Sequence, residues 1–150
     1  MKRFTGSKAL PPLFIDTWGW LALANDQDPA YGKVAPLRQQ YLPHGPAWVT
    51  TDYVLDETIT RLFAARPFAQ AETFCSGILA AQQVGSVVLE PITSERFQSA
   101  YRLRLRYRDK PRISFTDLTS IAVMRELGIR HVLTGDAHFT QVHLGFQILP

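Results

Sequence analysis

Between Ser114 and Phe139 the chain reads SFTDLTSIAVMRELGIRHVLTGDAHF, a stretch that sets one acid at a helix start and another at a strand end. Ser114 with Asp117 three positions on has the form of a helix cap, and Leu118, Ile121, Ala122 and Leu127 follow at helical spacing. Gly128 supplies the stop. His131 to Thr134 is a short β-branched and apolar run suited to a buried strand, and Gly135 marks the turn that carries Asp136. In a parallel sheet with crossover helices, helix starts and strand ends share the carboxyl edge, where open α/β folds bind ligands. A chain containing this stretch is therefore expected to hold Asp117 and Asp136 on one edge.

The remainder of the sequence alternates in the same way. Residues 1–12, with Lys2, Arg3 and Lys8 followed by Pro11 and Pro12, read as a flexible basic arm, and residues 13–150 as a single domain. Strands are expected at Leu13 to Asp16, Ala47 to Thr50, Val87 to Glu90 and Phe146 to Leu149. Helices are expected over Thr17 to Ala24, over Ala30 to Leu42 with a kink or restart at Pro36, and from a Thr51 or Asp52 cap to Ala65. Two more are expected over Phe68 to Gln82 and Ser94 to Tyr107. Arg102 to Arg108 alternates with period two, which taken alone favours a strand; it continues a helical pattern without a break, and Pro111 ends it, so it is read as helix. A polar loop is expected after Asp136. The sum is an α/β fold, a three-layer α/β/α sandwich on a mostly parallel sheet of about five strands.

The 150 residues are 46% hydrophobic and 19% charged, enough apolar surface for a core and too little charge for disorder. A net charge of +3 permits a polyanionic partner without requiring one. Cys75 stands alone, which excludes an internal disulfide and a cysteine zinc site. No apolar run approaches the ~18 residues of a membrane span, and the basic start lacks the apolar core of a secretory signal, so a cytoplasmic protein without a membrane partner is expected.

Asp16, at the end of the first expected strand, joins Asp117 and Asp136 on the carboxyl edge; Glu57, or equally Asp56 on spacing, lies in a helix that starts there. Two carboxylates about 4 Å apart repel by roughly 4 kcal/mol at an effective dielectric near 20, so such a group calls for protons or a cation. Oxygen donors without cysteine suit Mg²⁺ or Mn²⁺, ions that activate water for attack on phosphorus. Each acid has a plainer reading: Asp117 as a capping residue, Asp16 and Asp136 as turn residues, Glu57 on a solvated helix face. Their joint placement favours the site.

Four segments carry a resemblance: Phe14-Ile15-Asp16-Thr17, Val54 to Thr58, Ser114 to Asp117 with Ile121 and Ala122, and Leu133 to Phe139. Together they resemble the acidic motifs of the PIN domain family, and within it the VapC-type toxins of toxin–antitoxin pairs. The resemblance implies a metal-dependent endoribonuclease that leaves a 3′ hydroxyl, with Asp16, Glu57, Asp117 and Asp136 holding Mg²⁺ or Mn²⁺. It selects Glu57 over Asp56 and gives the Thr134 hydroxyl a supporting role. It also implies a homodimer, an RNA substrate, and a small antitoxin whose C-terminal segment crosses the active-site groove. His138 stands where many relatives have a further Asp.

Arg102, Arg104, Arg106, Arg108, Lys110 and Arg112 precede the Asp117 helix, and Arg108 and Arg112, nearest to it in sequence, are the candidates for holding a substrate phosphate. His131, His138 and His143 match no helical ligand pair and are read as structural. Trp18, Trp20 and Trp48 are read as packing residues. A phosphatase with an aspartyl intermediate would need D-x-D on the first strand, where Asp16 is followed by Thr17 and Trp18. A catalytically silent module that binds RNA or a protein partner is the non-enzymatic alternative.

Overall fold

The computed structural model describes residues 9–42 and 44–150. Of the expected basic arm, residues 1–8 lie outside the described residues; Leu10 packs against the core, and the Pro11 carbonyl accepts a 2.6 Å hydrogen bond from the Tyr41 hydroxyl.

Five strands form one sheet: β1 (Leu13–Ile15), β2 (Trp48–Thr51), β3 (Val87–Glu90), β4 (His131–Leu133) and β5 (Gln147–Leu149). All pairings are parallel and the order is β3-β2-β1-β4-β5. Leu13, Phe14 and Ile15 are each fully buried, because a central parallel strand is covered on both faces and needs an unbroken apolar run. Among the described residues seven helices connect the strands: α1 (Thr17–Leu23), α2 (Tyr31–Tyr41), α3 (Asp52–Ala65), α4 (Phe68–Gln83), α5 (Ser94–Arg106), α6 (Phe115–Leu127) and α7 (His138–Gln141). The chain moves outward from β1 to β3 and then crosses back to β4 and β5. Right-handed crossovers in these opposite directions put α1 to α4 on one face and α5 to α7 on the other. The packing of α1 on α2 and α3, of α3 on α4, and of α5 on α6 follows that division. The chain reverses direction across the sheet between β1 and β4, which makes their carboxyl ends the switch point.

Local chemistry sets the helix ends near that point. Thr51 caps α3 by accepting from the Val54 N–H at 3.1 Å, and Ser114 caps α6 by accepting from Asp117 at 3.1 Å. Gly128 closes α6 at φ 68°, a left-handed conformation that favours glycine. In the ambiguous Arg102 to Arg108 run, the buried Ala100, Leu103 and Tyr107 recur at helical spacing and fix it as the end of α5. Arg104 then turns its guanidinium inward and donates to the carbonyls of Tyr107, Lys110 and Ile113 at 2.6–2.8 Å, pinning the turn that leads into α6.

Two expectations are corrected. Of the kink or restart expected at Pro36, the restart does not occur, since α2 is one continuous helix; the carbonyl that would have met the missing N–H belongs to Gly32, which is exposed and open to water. The expected polar loop after Asp136 contains α7, anchored by the fully buried Phe139 and by a 2.9 Å bond from the Tyr107 hydroxyl to the Val142 carbonyl. A four-residue helix is too short for periodicity to reveal.

Candidate active site

At the switch point, an open cavity of about 430 Å³ is lined by Asp16, Thr17, Trp18, Glu57, Asp117 and His138, with Arg61, Ser114 and residues 135–137 around them. All four acids expected from the sequence are there. Asp16 follows β1 directly and Asp136 follows β4 by three residues. Glycine stands at two close approaches beside these strand ends, Gly19 of α1 against β4 and Gly135 against Trp18. A methyl on Gly19 would stand 2.8 Å from the Leu133 carbonyl, and one on Gly135 would overlap the Trp18 indole.

Asp16 is 4% exposed, and its Oδ2 accepts a 2.9 Å hydrogen bond from the Thr134 hydroxyl, 118 residues away. Burial, followed by repulsion from Asp117 and more weakly from Glu57, pushes its carboxyl up to about 7; the bond from Thr134 works against this. The same Thr134 oxygen accepts the Asp136 N–H at 3.0 Å, so one hydroxyl ties the ends of β1 and β4 together. Glu57, on the second turn of α3, accepts from the Thr17 hydroxyl at 3.1 Å and faces Arg61 at 3.4 Å. Neighbouring Asp56 is exposed and lies outside the cavity lining, so the spacing ambiguity resolves toward Glu57.

Asp117, buried at the third position of α6, has its carboxyl pushed up mainly by burial and secondly by Asp136; the bond to His138 opposes the rise. His138 Nδ1 lies 3.1 Å from Asp117 Oδ2 and 2.9 Å from Asp136 Oδ2, and its backbone N–H donates to Asp136 Oδ1 at 2.9 Å. One ligand atom from each of Asp117, Asp136 and His138 lies within 4.8 Å of the others, the tightest such group among the described residues. The cavity thus has two halves. Asp16 and Glu57 are each held by a threonine hydroxyl, and Asp117 and Asp136 converge on an imidazole.

His138, read from the sequence as structural, lines the cavity and contacts two of its acids. The signal available in the sequence was its place two residues after Asp136, in the segment that carries the family resemblance. Arg108 and Arg112 are exposed and neither lines the cavity, because the Arg104 staple turns residues 107–113 along the end of α5. The arginine at the cavity is Arg61, one helical turn beyond Glu57. Of the tryptophans, Trp20 and Trp48 pack as expected, with ring centroids 5.9 Å apart, and Trp18 reaches the cavity wall.

A five-stranded parallel sandwich with carboxylates gathered at its switch point is the architecture of the PIN domain, and residues 13–144 match that family; the chain belongs to it. Within the family its likeness is to VapC toxins. It is 32% identical over 129 residues to the 23S rRNA-specific endonuclease VapC20 of Mycobacterium tuberculosis, covering 85% of this chain and 92% of that protein. The crystal structure of M. tuberculosis VapC20, a toxin that cleaves the sarcin-ricin loop, matches with a TM-score of 0.76 at 30% identity, over 92% of this chain and 99% of the other. VapBC-1 from nontypeable Haemophilus influenzae shares the fold, with a TM-score of 0.63 at 16% identity over 91% and 95% of the two chains.

The donor set fits a divalent cation. Four carboxylates in one cavity, two of them buried and driven toward protonation by burial and by neighbouring acids, form a site with excess negative charge. A bound cation removes that excess. Among the described residues no helix is long and apolar enough to cross a membrane.

Proposed function

We propose that the protein is a VapC-type endoribonuclease, the toxin of a toxin–antitoxin pair, which hydrolyses RNA with Mg²⁺ or Mn²⁺ held by Asp16, Glu57, Asp117 and Asp136. The observation that carries this reading is the meeting of buried acids from β1 and α6 with acids from α3 and the β4 turn, in a chain 32% identical to an rRNA endonuclease. The ion supplies Lewis acidity toward water and the scissile phosphate. The chain's own residues hold and orient. Thr134 donates to Asp16 and Thr17 donates to Glu57, so neither carboxylate swings when substrate arrives. Arg61 stands at the rim with more than half of its side chain exposed, placed to meet a backbone phosphate. Arg108 and Arg112 are exposed and remain candidates for a phosphate beyond the cavity. Water adds to phosphorus, the bond to O3′ breaks, and the proton passes to that oxygen, leaving a 3′ hydroxyl and a 5′ phosphate.

Because the VapC20 relative acts on 23S rRNA, ribosomal RNA carrying the sarcin-ricin loop is the substrate to test first. A cytoplasmic homodimer, inhibited by a small antitoxin whose C-terminal segment covers the cavity, completes the proposal. The test is cleavage of that RNA with and without Mn²⁺, beside Asp117→Asn, a nearly isosteric change. Cleavage is expected to need the metal and to fall to background in the variant while thermal melting stays cooperative. Cleavage retained by a folded Asp117→Asn protein would remove the acid site from the mechanism.

A further inference from the structure

Resting on the reading that this cavity holds a divalent ion, we infer that His138 is a nitrogen ligand of that ion and shifts the site's preference from Mg²⁺ toward Mn²⁺. The geometry comes first. His138 presents Nδ1 at 2.9 Å from Asp136 and 3.1 Å from Asp117, where the two carboxylates converge; at these distances Nδ1 carries a hydrogen toward them, and an ion bound there would take the place of that hydrogen. Its backbone is fixed on both sides, by the bond from its N–H to Asp136 and by the fully buried Phe139 that follows. The imidazole is therefore placed before any ion arrives, as a ligand must be if binding is to cost little reordering.

Ligand chemistry gives the consequence. Mg²⁺ is a small hard ion that takes oxygen donors and keeps several waters, whereas imidazole favours first-row transition ions. An imidazole beside the four carboxylates adds a softer, uncharged donor to an otherwise all-oxygen site, a donor that Mg²⁺ takes poorly. Mn²⁺ accepts both donor types. The acids alone would leave the choice of ion open; His138 biases it.

The experiment loads the full-length protein with Mn²⁺ and records pulsed electron paramagnetic resonance for ¹⁴N coupling, with calorimetric titration of Mn²⁺ and Mg²⁺ in parallel. His138→Asp and the uncharged His138→Ala are measured beside the wild type, each checked for cooperative melting. Directly coupled nitrogen in the wild type, its loss in both variants, and a fall of about tenfold or more in the Mn²⁺ over Mg²⁺ affinity ratio in His138→Asp are expected. Mn²⁺ bound without nitrogen coupling, or an unchanged ratio, would overturn the ligand role and leave His138 as an ion-pair partner of the two acids. Failure of the wild type to bind Mn²⁺ at all would overturn the nuclease reading together with this inference.

Discussion

Two cavities of similar size open at opposite ends of the sheet and are built by opposite means. The acid cavity, about 430 Å³ at the carboxyl ends, is held by hydrogen bonds between residues far apart in sequence. The other, about 480 Å³ near the amino ends of β2 and β3, has Trp20, Tyr41, Trp48, Phe74 and Ile78 in its wall. There Trp48 stacks edge-on against Trp20 at 5.9 Å and Tyr41 at 6.2 Å. In the first, the lining opposes folding and favours ligand. In the second, the lining is an extension of the core. Stability and activity should therefore separate between the two ends.

The largest expected separation comes from Trp48→Ala, which truncates a side chain only 8% exposed and should cost about 3–5 kcal/mol in chemical denaturation. Its RNA cleavage per folded molecule should match the wild type; a loss beyond the unfolded fraction would mean the two ends are coupled. Next is the pH dependence of the metal-free protein. Folding raises the Asp16 carboxyl from 3.8 to about 7, so its contribution to stability is full below the lower value and is lost as pH rises through the upper one. Asp117 shifts in the same direction. Stability should fall by on the order of 3 kcal/mol between pH 5 and 7.5, and Asp16→Asn should flatten the slope. A wild-type melting profile with no such decline would show that the acid cavity does not strain the fold. The smallest effect is Thr134→Val, which removes the donor to Asp16 and should weaken Mn²⁺ binding by roughly 10- to 100-fold in calorimetry while changing stability little. Unchanged affinity would place the Thr134 contribution in the fold alone.

What the sequence disclosed, and what it did not, follows the same physical divide. Strands and helices with periodic apolar faces were legible, since burial of one face dictates the spacing: Leu13 to Ile15 as a buried strand, and Ala100, Leu103 and Tyr107 as a helix face beneath an alternating arginine run. The acids were legible because Asp16 follows a strand, Asp136 lies in the turn after one, and Asp117 and Glu57 lie in the first two turns of helices. His138 was not, because its position depends on a four-residue helix and on a tertiary anchor, Phe139, that leave no period in the chain. Arg61 lines the cavity, and Arg108 and Arg112 do not, for a related reason. Distance along the chain from Asp117 is not distance in space once Arg104 has turned the intervening loop.

The pairing of Asp16 with Thr134 also fixes when activity can begin. Asp16 leaves the ribosome well before Asp136, and their neighbouring strands β1 and β4 pair only after α6 has been made. A chain that stops between α6 and β4 carries β1, β2 and β3 with Asp16, Glu57 and Asp117, and lacks Thr134, Asp136 and His138. A site built in this order cannot assemble before β4 has been made and has paired with β1.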